Sequence, residues 1–304
     1  MPPIVTMVRK KILTTKYPCA RIVLTCLCLL LFPAGALPAE TPTLEPDVPF
    51  YERFMKGLET GVTGPIGSRY YVEDGFRVES SEGNLKIKIG GEARLDGGYV
   101  GANDVLKRAF TDLPGWKGNF RELKVRLSGI MYENWKFRFD MDFANVRQIK
   151  DIWIGYGKIP FLGTAKIGHM KEPFSLEDVA SNANRTFMEI ALPVEAFSPG
   201  RNVGIKCQNT ALDDRLTWAA GFFLITGTFS DVADATDYLS EAFGSAVSFR
   251  VTGLPQYEDD GKNLLHLGFS YSHQLRNDTR ENSQLKVRAH PESRLPQDTF
   301  VNTG

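Results

Sequence analysis

The stretch Asn134-Trp135-Lys136-Phe137-Arg138-Phe139-Asp140-Met141-Asp142-Phe143-Ala144 decides the fold. Trp135, Phe137, Phe139, Met141 and Phe143 share one parity, and Lys136, Arg138, Asp140 and Asp142 share the other. Successive side chains of a strand point to opposite sides, so the stretch has one aromatic face and one charged face. A soluble sheet buries the aromatic face against a second layer. A membrane barrel turns it to lipid and turns the charged face to a wet lumen.

The same alternation recurs on both sides of this stretch. Upstream, Leu85, Ile87, Ile89, Ala93 and Leu95 oppose Lys86, Lys88, Glu92, Arg94 and Asp96, and Leu123, Val125 and Leu127 oppose Glu122, Lys124 and Arg126. Downstream, strands are expected near residues 150–158, 164–170, 203–207, 215–226, 247–252 and 265–271. That makes nine strands and no long amphipathic helix. Short turns near 132–134, 159–161, 210–213 and 255–261 alternate with long connections over 100–117, 171–202 and 227–241. Such alternation is the outer-membrane pattern, with turns on the periplasmic side and loops outside. The short link 145–149 is the exception. Tyr99, Tyr132, Trp135, Trp153, Tyr156, Phe161 and Tyr271 lie near strand ends, as interfacial girdles do.

The 304 residues carry a net charge of zero, so no global field points to nucleic acid. The N-terminus is a targeting segment. Arg9, Lys10, Lys11, Lys16 and Arg21 precede an apolar run over 22–32, and Ala34-Gly35-Ala36 is a small-x-small cleavage pattern. This reads as a secretory signal peptide over residues 1–36. Residues 37–74, rich in proline and glycine, read as a periplasmic leader, and 75–304 as the N-terminal part of a barrel. Cys19, Cys26 and Cys28 lie in the signal, which leaves Cys207 as a wall residue and no disulfide framework. Nine is an odd strand number, and the chain ends in a polar segment over 297–304. A fragment lacking the second half of the barrel is therefore expected.

The charged face is rich in bases. Lys86, Lys88, Arg94, Lys124, Arg126, Lys136, Arg138 and Arg250 fall on it, with Lys166, Lys206 and Arg215. The acids Glu92, Asp96, Glu122, Asp140, Asp142 and Asp151 are about half as many. Bases lining a narrow lumen between low-dielectric walls favour anions. Alternatively, the bases pair with acids on neighbouring strands and only keep the lumen polar. The connection 171–202 holds Phe174, Leu176, Phe187, Met188, Ile190, Leu192, Val194 and Phe197, which a wholly solvated loop has no use for. It is expected to fold inward and narrow the channel, with Lys171, Arg185 and Arg201 as its bases.

Leu85-Lys-Ile-Lys-Ile-Gly-Gly-Glu-Ala-Arg-Leu-Asp96 and the run 120–129 resemble the start of the phosphate-selective porin O and P family. So do Lys166-Ile-Gly-His-Met-Lys-Glu-Pro-Phe-Ser-Leu-Glu177, Thr186-Phe-Met-Glu189 and Phe197-Ser-Pro-Gly-Arg-Asn-Val-Gly204. The resemblance spans roughly residues 75–275. It implies a transmembrane β-barrel of about sixteen strands, usually a homotrimer in the outer membrane, that conducts anions such as phosphate or polyphosphate. Inward-folded loops constrict it, and it needs no cofactor or metal. A non-selective general porin is the nearest alternative. A barrel hydrolase and a soluble periplasmic β-sandwich are the others. For hydrolysis, His169, His266, His273 and His290 sit in no nucleophile motif, and His169 falls on the apolar parity.

Overall fold

Exposure settles which face of the alternating strands looks outward. The apolar residues Leu95, Ile167 and Phe269 are 55–63% exposed, whereas the acids Glu122 and Asp140 are 2–3% exposed. An apolar face left in water costs about 25 cal/mol per Å², so such a face suits an apolar medium. The strands therefore form an inside-out sheet, polar within and apolar without.

The computed structural model describes residues 61–63, 68–73, 75–109, 113–144, 148–226, 244–276, 287–296 and 299–303. The expected signal peptide lies outside the described residues, as does the leader up to residue 60. All nine expected strands are present: β4 (Leu85–Val100), β5 (Gly115–Met131), β6 (Trp135–Asp142), β7 (Gln148–Ile159), β8 (Gly163–Lys171), β9 (Arg201–Ala211), β10 (Leu216–Leu224), β11 (Gly244–Glu258) and β12 (Asn263–Arg276). Three short strands precede them: β1 (Val62–Thr63), β2 (Arg69–Val72) and β3 (Phe76–Glu79). β1 and β2 fall in the segment read as a leader, where the sequence shows no sustained alternation. A last pair, β13 (Arg288–Ala289) and β14 (Val301–Asn302), follows β12. The fold class is all-β and antiparallel, and no helix among the described residues is long and apolar enough to cross a membrane.

The described residues divide into two units. The smaller holds residues up to 90 together with 127–133. Its β2–β3 hairpin pairs Arg69 with Glu79 and Val72 with Phe76, and β3 pairs with β4 from Phe76↔Ile89 to Glu79↔Lys86. Phe76 is buried among Tyr70, Val72, Val78 and Ile89. Tyr132 and Glu133 both have positive φ, as tight hairpin turns require, and the Tyr132 N–H donates to the Asn84 carbonyl at 2.7 Å.

The larger unit holds 91–126 and the described residues from 134 onward. Its strands neighbour one another in chain order from β4 to β12. The turn after β9 centres on Leu212, Asp213 and Asp214, all at positive φ. The turn after β11 is shorter than expected, because β11 continues to Glu258. Pro255 sits inside that strand, at the register shift between Gly253 and Gln256. A residue without an N–H is tolerated where the ladder is interrupted.

Two bulges break the simple parity and shape the inner face. In β5, Trp116 and Phe120 point outward on even numbers, but Leu123 and Val125 point outward on odd ones. The slip turns Arg121 and Glu122 inward together. Between β6 and β7, Phe139 pairs with Ile152 and Met141 with Ile149, so Asp140 faces both Lys150 and Asp151.

Of the residues expected in a girdle, Trp135 and Tyr156 pair edge to face at the turn end, with ring centroids 5.2 Å apart. Tyr99 and Trp116 make a similar pair, 5.7 Å apart, at the loop end. Trp153 is a correction: its parity is that of Asp151, and its ring lies on the inner face beneath the Lys166 ammonium, 4.3 Å from the centroid. His169 also departs from simple parity. It is 3% exposed, with Nδ1 2.7 Å from the Lys150 carbonyl oxygen. The preceding Gly168 has φ +136°, and a Cβ there would lie 2.2 Å from the Ile152 carbonyl oxygen, so only glycine permits this approach of β7 and β8.

Candidate functional site: a loop braced across the inner face

The connection 172–200 is the site's central element. It contains two short helices, α1 (Leu176–Val179) and α2 (Leu192–Phe197), with a 3-10 turn at Asn182–Asn184 between them. Polar bonds pin it at its stem, at its middle and at α2.

At the stem, Glu172 is fully buried. Its carboxylate accepts from Asn202 Nδ2 at 2.7 Å and from the Ser248 hydroxyl of β11. Asn202 Oδ1 in turn accepts the Thr226 N–H at 2.8 Å, and Ser248 Oγ lies 3.0 Å from Ser272 Oγ of β12. Glu172 N–H donates to the Gly200 carbonyl at 3.0 Å, which closes the base of the loop. Three residues on, the Ser175 N–H reaches Ser270 Oγ of β12 at 3.3 Å. The loop start thus crosses the inner face from β8 to β12.

The middle of the loop reaches the other side. Glu189 accepts a bidentate pair from Arg121, the Nη2 bond being 3.0 Å, and Asn182 donates to Glu122. Arg121 and Glu122 are the two residues the β5 bulge turns inward. From the stem on β11 and β12 to this contact on β5, the loop crosses the inner face as a crossbar held by polar bonds, while Leu176, Phe187 and Phe197, expected to pack on the wall, are 55–75% exposed. α2 is held separately. Glu195 accepts from the His290 N–H and Nδ1 at 3.0 Å each and from Arg294 at 2.5 Å. Burial alone would raise the Glu195 carboxyl, but His290 and Arg294 beside it hold it below the usual carboxylate range.

Most bases at the level of the crossbar are paired. Lys124 lies 2.8 Å from Glu122, Arg126 3.0 Å from Asp140, and Arg138 2.6 Å from Asp140 and 3.5 Å from Asp151. Arg201 is 3.0 Å from Asp151, and Lys171 is 3.6 Å from Asp178. Arg94 lies 3.7 Å from Glu189 and 3.9 Å from Glu122, too far for hydrogen bonds, and its Nε and Nη2 have no acceptor. The Arg185 guanidinium donates to the Glu177 carbonyl at 3.1 Å. Lys86 and Lys88 lie in the smaller unit, where Lys86 pairs with Glu79 at 2.7 Å and Lys88 stands opposite Arg77. The inner face at this level is therefore mixed in sign rather than a ladder of free bases. The pairing alternative holds there, and the loop acids Asp178 and Glu189 add to it.

Closer to the short turns the pattern changes. Register places Lys136 opposite Gly155, Gly155 opposite Lys166, Lys166 opposite Lys206, and Lys206 opposite Gly221. One row turnward, Thr164 pairs with Gln208, Gln208 with Ala219, and Ala219 with Arg250. Among the described residues, no carboxylate lies within 4.0 Å of Lys136, Lys166, Lys206 or Arg250, on the inner face of four different strands. Lys166 Nζ instead donates to Gln208 Oε1 at 3.1 Å, and Lys206 Nζ to the Lys171 carbonyl at 2.9 Å. Gly155 gives the Lys166 stem its space, since a Cβ there would lie 3.0 Å from Lys166 Cγ. Of these four, Lys136 and Arg250 are expected pore residues. Lys166 and Lys206 share their face but stand out only once register aligns them.

A cavity of about 420 Å³ opens between this wall and the loop stem, lined among others by Pro173, Lys206, Gln208, Thr217 and Arg250. Among the described residues, no three His, Cys, Asp or Glu side chains are grouped to hold a metal ion.

A profile of the phosphate-selective porin O and P family matches residues 88–304. The chain is also similar to Porin O of Pseudomonas aeruginosa, with 22% identity over 233 residues, which covers 70% of this chain and 47% of that protein. The chain thus spans about half the length of the curated relative it matches.

Proposed function

We propose that the chain, which belongs to the phosphate-selective porin O and P family, supplies wall strands and the constricting loop of a water-filled outer-membrane channel. Small anions, phosphate among them, diffuse through it down their gradient. It is a passage and not an enzyme. Export through the signal peptide read at residues 1–36 and assembly as a homotrimer belong to the same proposal.

The observation that carries the anion preference is the group Lys136, Lys166, Lys206 and Arg250. A base paired to a carboxylate contributes little net field at lumen distances, because the two charges nearly cancel. An uncompensated base attracts a monovalent anion 6 Å away by about 3 kcal/mol at an effective dielectric near 20. The four bases without carboxylates lie just turnward of the crossbar, where they favour an anion that has passed it. Arg94, with two donors lacking acceptors, offers a contact at the crossbar itself.

The channel is tested by adding the purified intact protein that contains this chain to a planar bilayer in KCl. Stepwise current increments are expected, and added phosphate should reduce the chloride current. A protein that inserts into lipid and gives no increments would rule the channel out.

A further inference from the structure

The cavity under the loop stem is larger and chemically more varied than a bare oxyanion needs. Its volume of about 420 Å³ falls in the range of roughly 300–1,000 Å³ typical of sites for small organic molecules. Two bases without carboxylate partners, Lys206 and Arg250, stand in its wall. Beside them are neutral hydrogen-bonding side chains, Thr164, Gln208 and Thr217, and no lining residue is acidic. The register explains why they converge. Thr164, Lys206 and Gln208 share the inner face of β8 and β9, and Thr217 and Arg250 continue it on β10 and β11. Pro173 at the loop stem supplies an apolar roof. Bare phosphate uses the bases and makes no use of the Gln208 amide, whose Oε1 accepts from Lys166, or of the Thr164 and Thr217 hydroxyls, the latter 2.6 Å from Thr252 Oγ1. A molecule carrying both an anionic group and several hydroxyls uses the polar part of the wall, beside Val179, Trp218 and Ala219.

We propose that this cavity is a binding site for phosphorylated polyols, of which a sugar monophosphate is the simplest probe. The phosphate sits on Lys206 and Arg250, and the hydroxyls sit on Gln208, Thr217 and Thr164. The inference rests on the anion-channel reading and sharpens it to a substrate class.

The test compares half-blocking concentrations of glucose 6-phosphate and inorganic phosphate on the chloride current of the intact channel. Glucose 6-phosphate is expected to block at a concentration lower by about tenfold, equivalent to about 1.4 kcal/mol. Thr164→Val and, separately, Thr217→Val should each shrink that advantage while block by inorganic phosphate stays within about twofold. Two variants on different strands guard against one of them failing to fold. Equal or weaker block by glucose 6-phosphate, or an advantage that survives both substitutions, overturns the site but leaves the anion channel standing. A channel that neither phosphate compound blocks and that prefers cations overturns both readings together.

Discussion

Replacing Glu172 by alanine is expected to unfasten the crossbar and widen the pore. The Glu172 carboxylate is the joint at which the loop stem, β9, β11 and β12 meet, through Asn202, Ser248 and Ser272. Removing it leaves buried donors without an acceptor, at a cost on the order of 1–3 kcal/mol for each. A loss of about 3 kcal/mol shifts a two-state equilibrium roughly 150-fold. The ion pair between Arg121 and Glu189 still holds the far end, so the stem should swing while the middle stays tethered. Single-channel recordings should show larger steps and frequent transitions between levels. Conductance steps identical to the wild type would show that the stem network does not hold the loop.

The same joint carries a pH dependence. Burial raises the Glu172 carboxyl above the usual range, against the pull of the Ser248, Asn202 and Ser272 donors. A carboxyl whose folded pKa lies above its unfolded value, about 4.3 for Glu, stabilises the fold fully below that value. The contribution fades as pH rises through the raised pKa, when a negative charge appears that no base among the described residues pairs within 4.0 Å. Asp178, through its charge, also favours the neutral form. Loop transitions in the wild type should therefore become more frequent as pH increases. Glu172→Gln, which keeps hydrogen bonding without titrating, should flatten that dependence.

The second large effect concerns selectivity. Converting Lys136, Lys166 and Lys206 to glutamate replaces three positive charges with three negative ones along a single register row. Because, among the described residues, no carboxylate lies within 4.0 Å of these three lysines, the substitutions turn the local field toward the opposite sign, and low-dielectric walls concentrate it. The reversal potential under a KCl gradient should move from the anion side to the cation side. The three glutamines should give an intermediate value. The control is Arg126→Gln, at a base already paired with Asp140 at 3.0 Å. It should shift the potential far less than any one of the three lysine substitutions. Equal shifts at Arg126 and Lys166 would mean that pairing does not decide which bases matter.

The fold was largely legible because a sheet that is apolar without and polar within prints its period on every strand. From Leu95 to Phe269, an alternation of two, broken at a few places, marked both the strands and their outer faces. The hidden parts are those where that period slips. Arg121 sits on the apolar parity of Leu123, and only the parity change after Phe120 betrays the bulge that turns it inward. Trp153 looked like a girdle residue because aromatics gather at strand ends, but its own parity placed it with Asp151. The site was less legible. Composition shows how many bases share the inner face. It does not show that Arg138 and Arg201 divide Asp151, or that loop acids reach back to Arg121 and Lys171. Which bases remain uncompensated depends on register across four strands and on the path of a connection nearly thirty residues long.

The reversal potential of the intact wild-type channel tests the central claim most directly. A bilayer holding the protein is bathed in unequal KCl concentrations at neutral pH, and the voltage at zero current is read. The lysines without carboxylate partners predict a potential of the sign set by chloride, smaller when phosphate is added to both sides. A potential of the sign set by potassium would contradict the account.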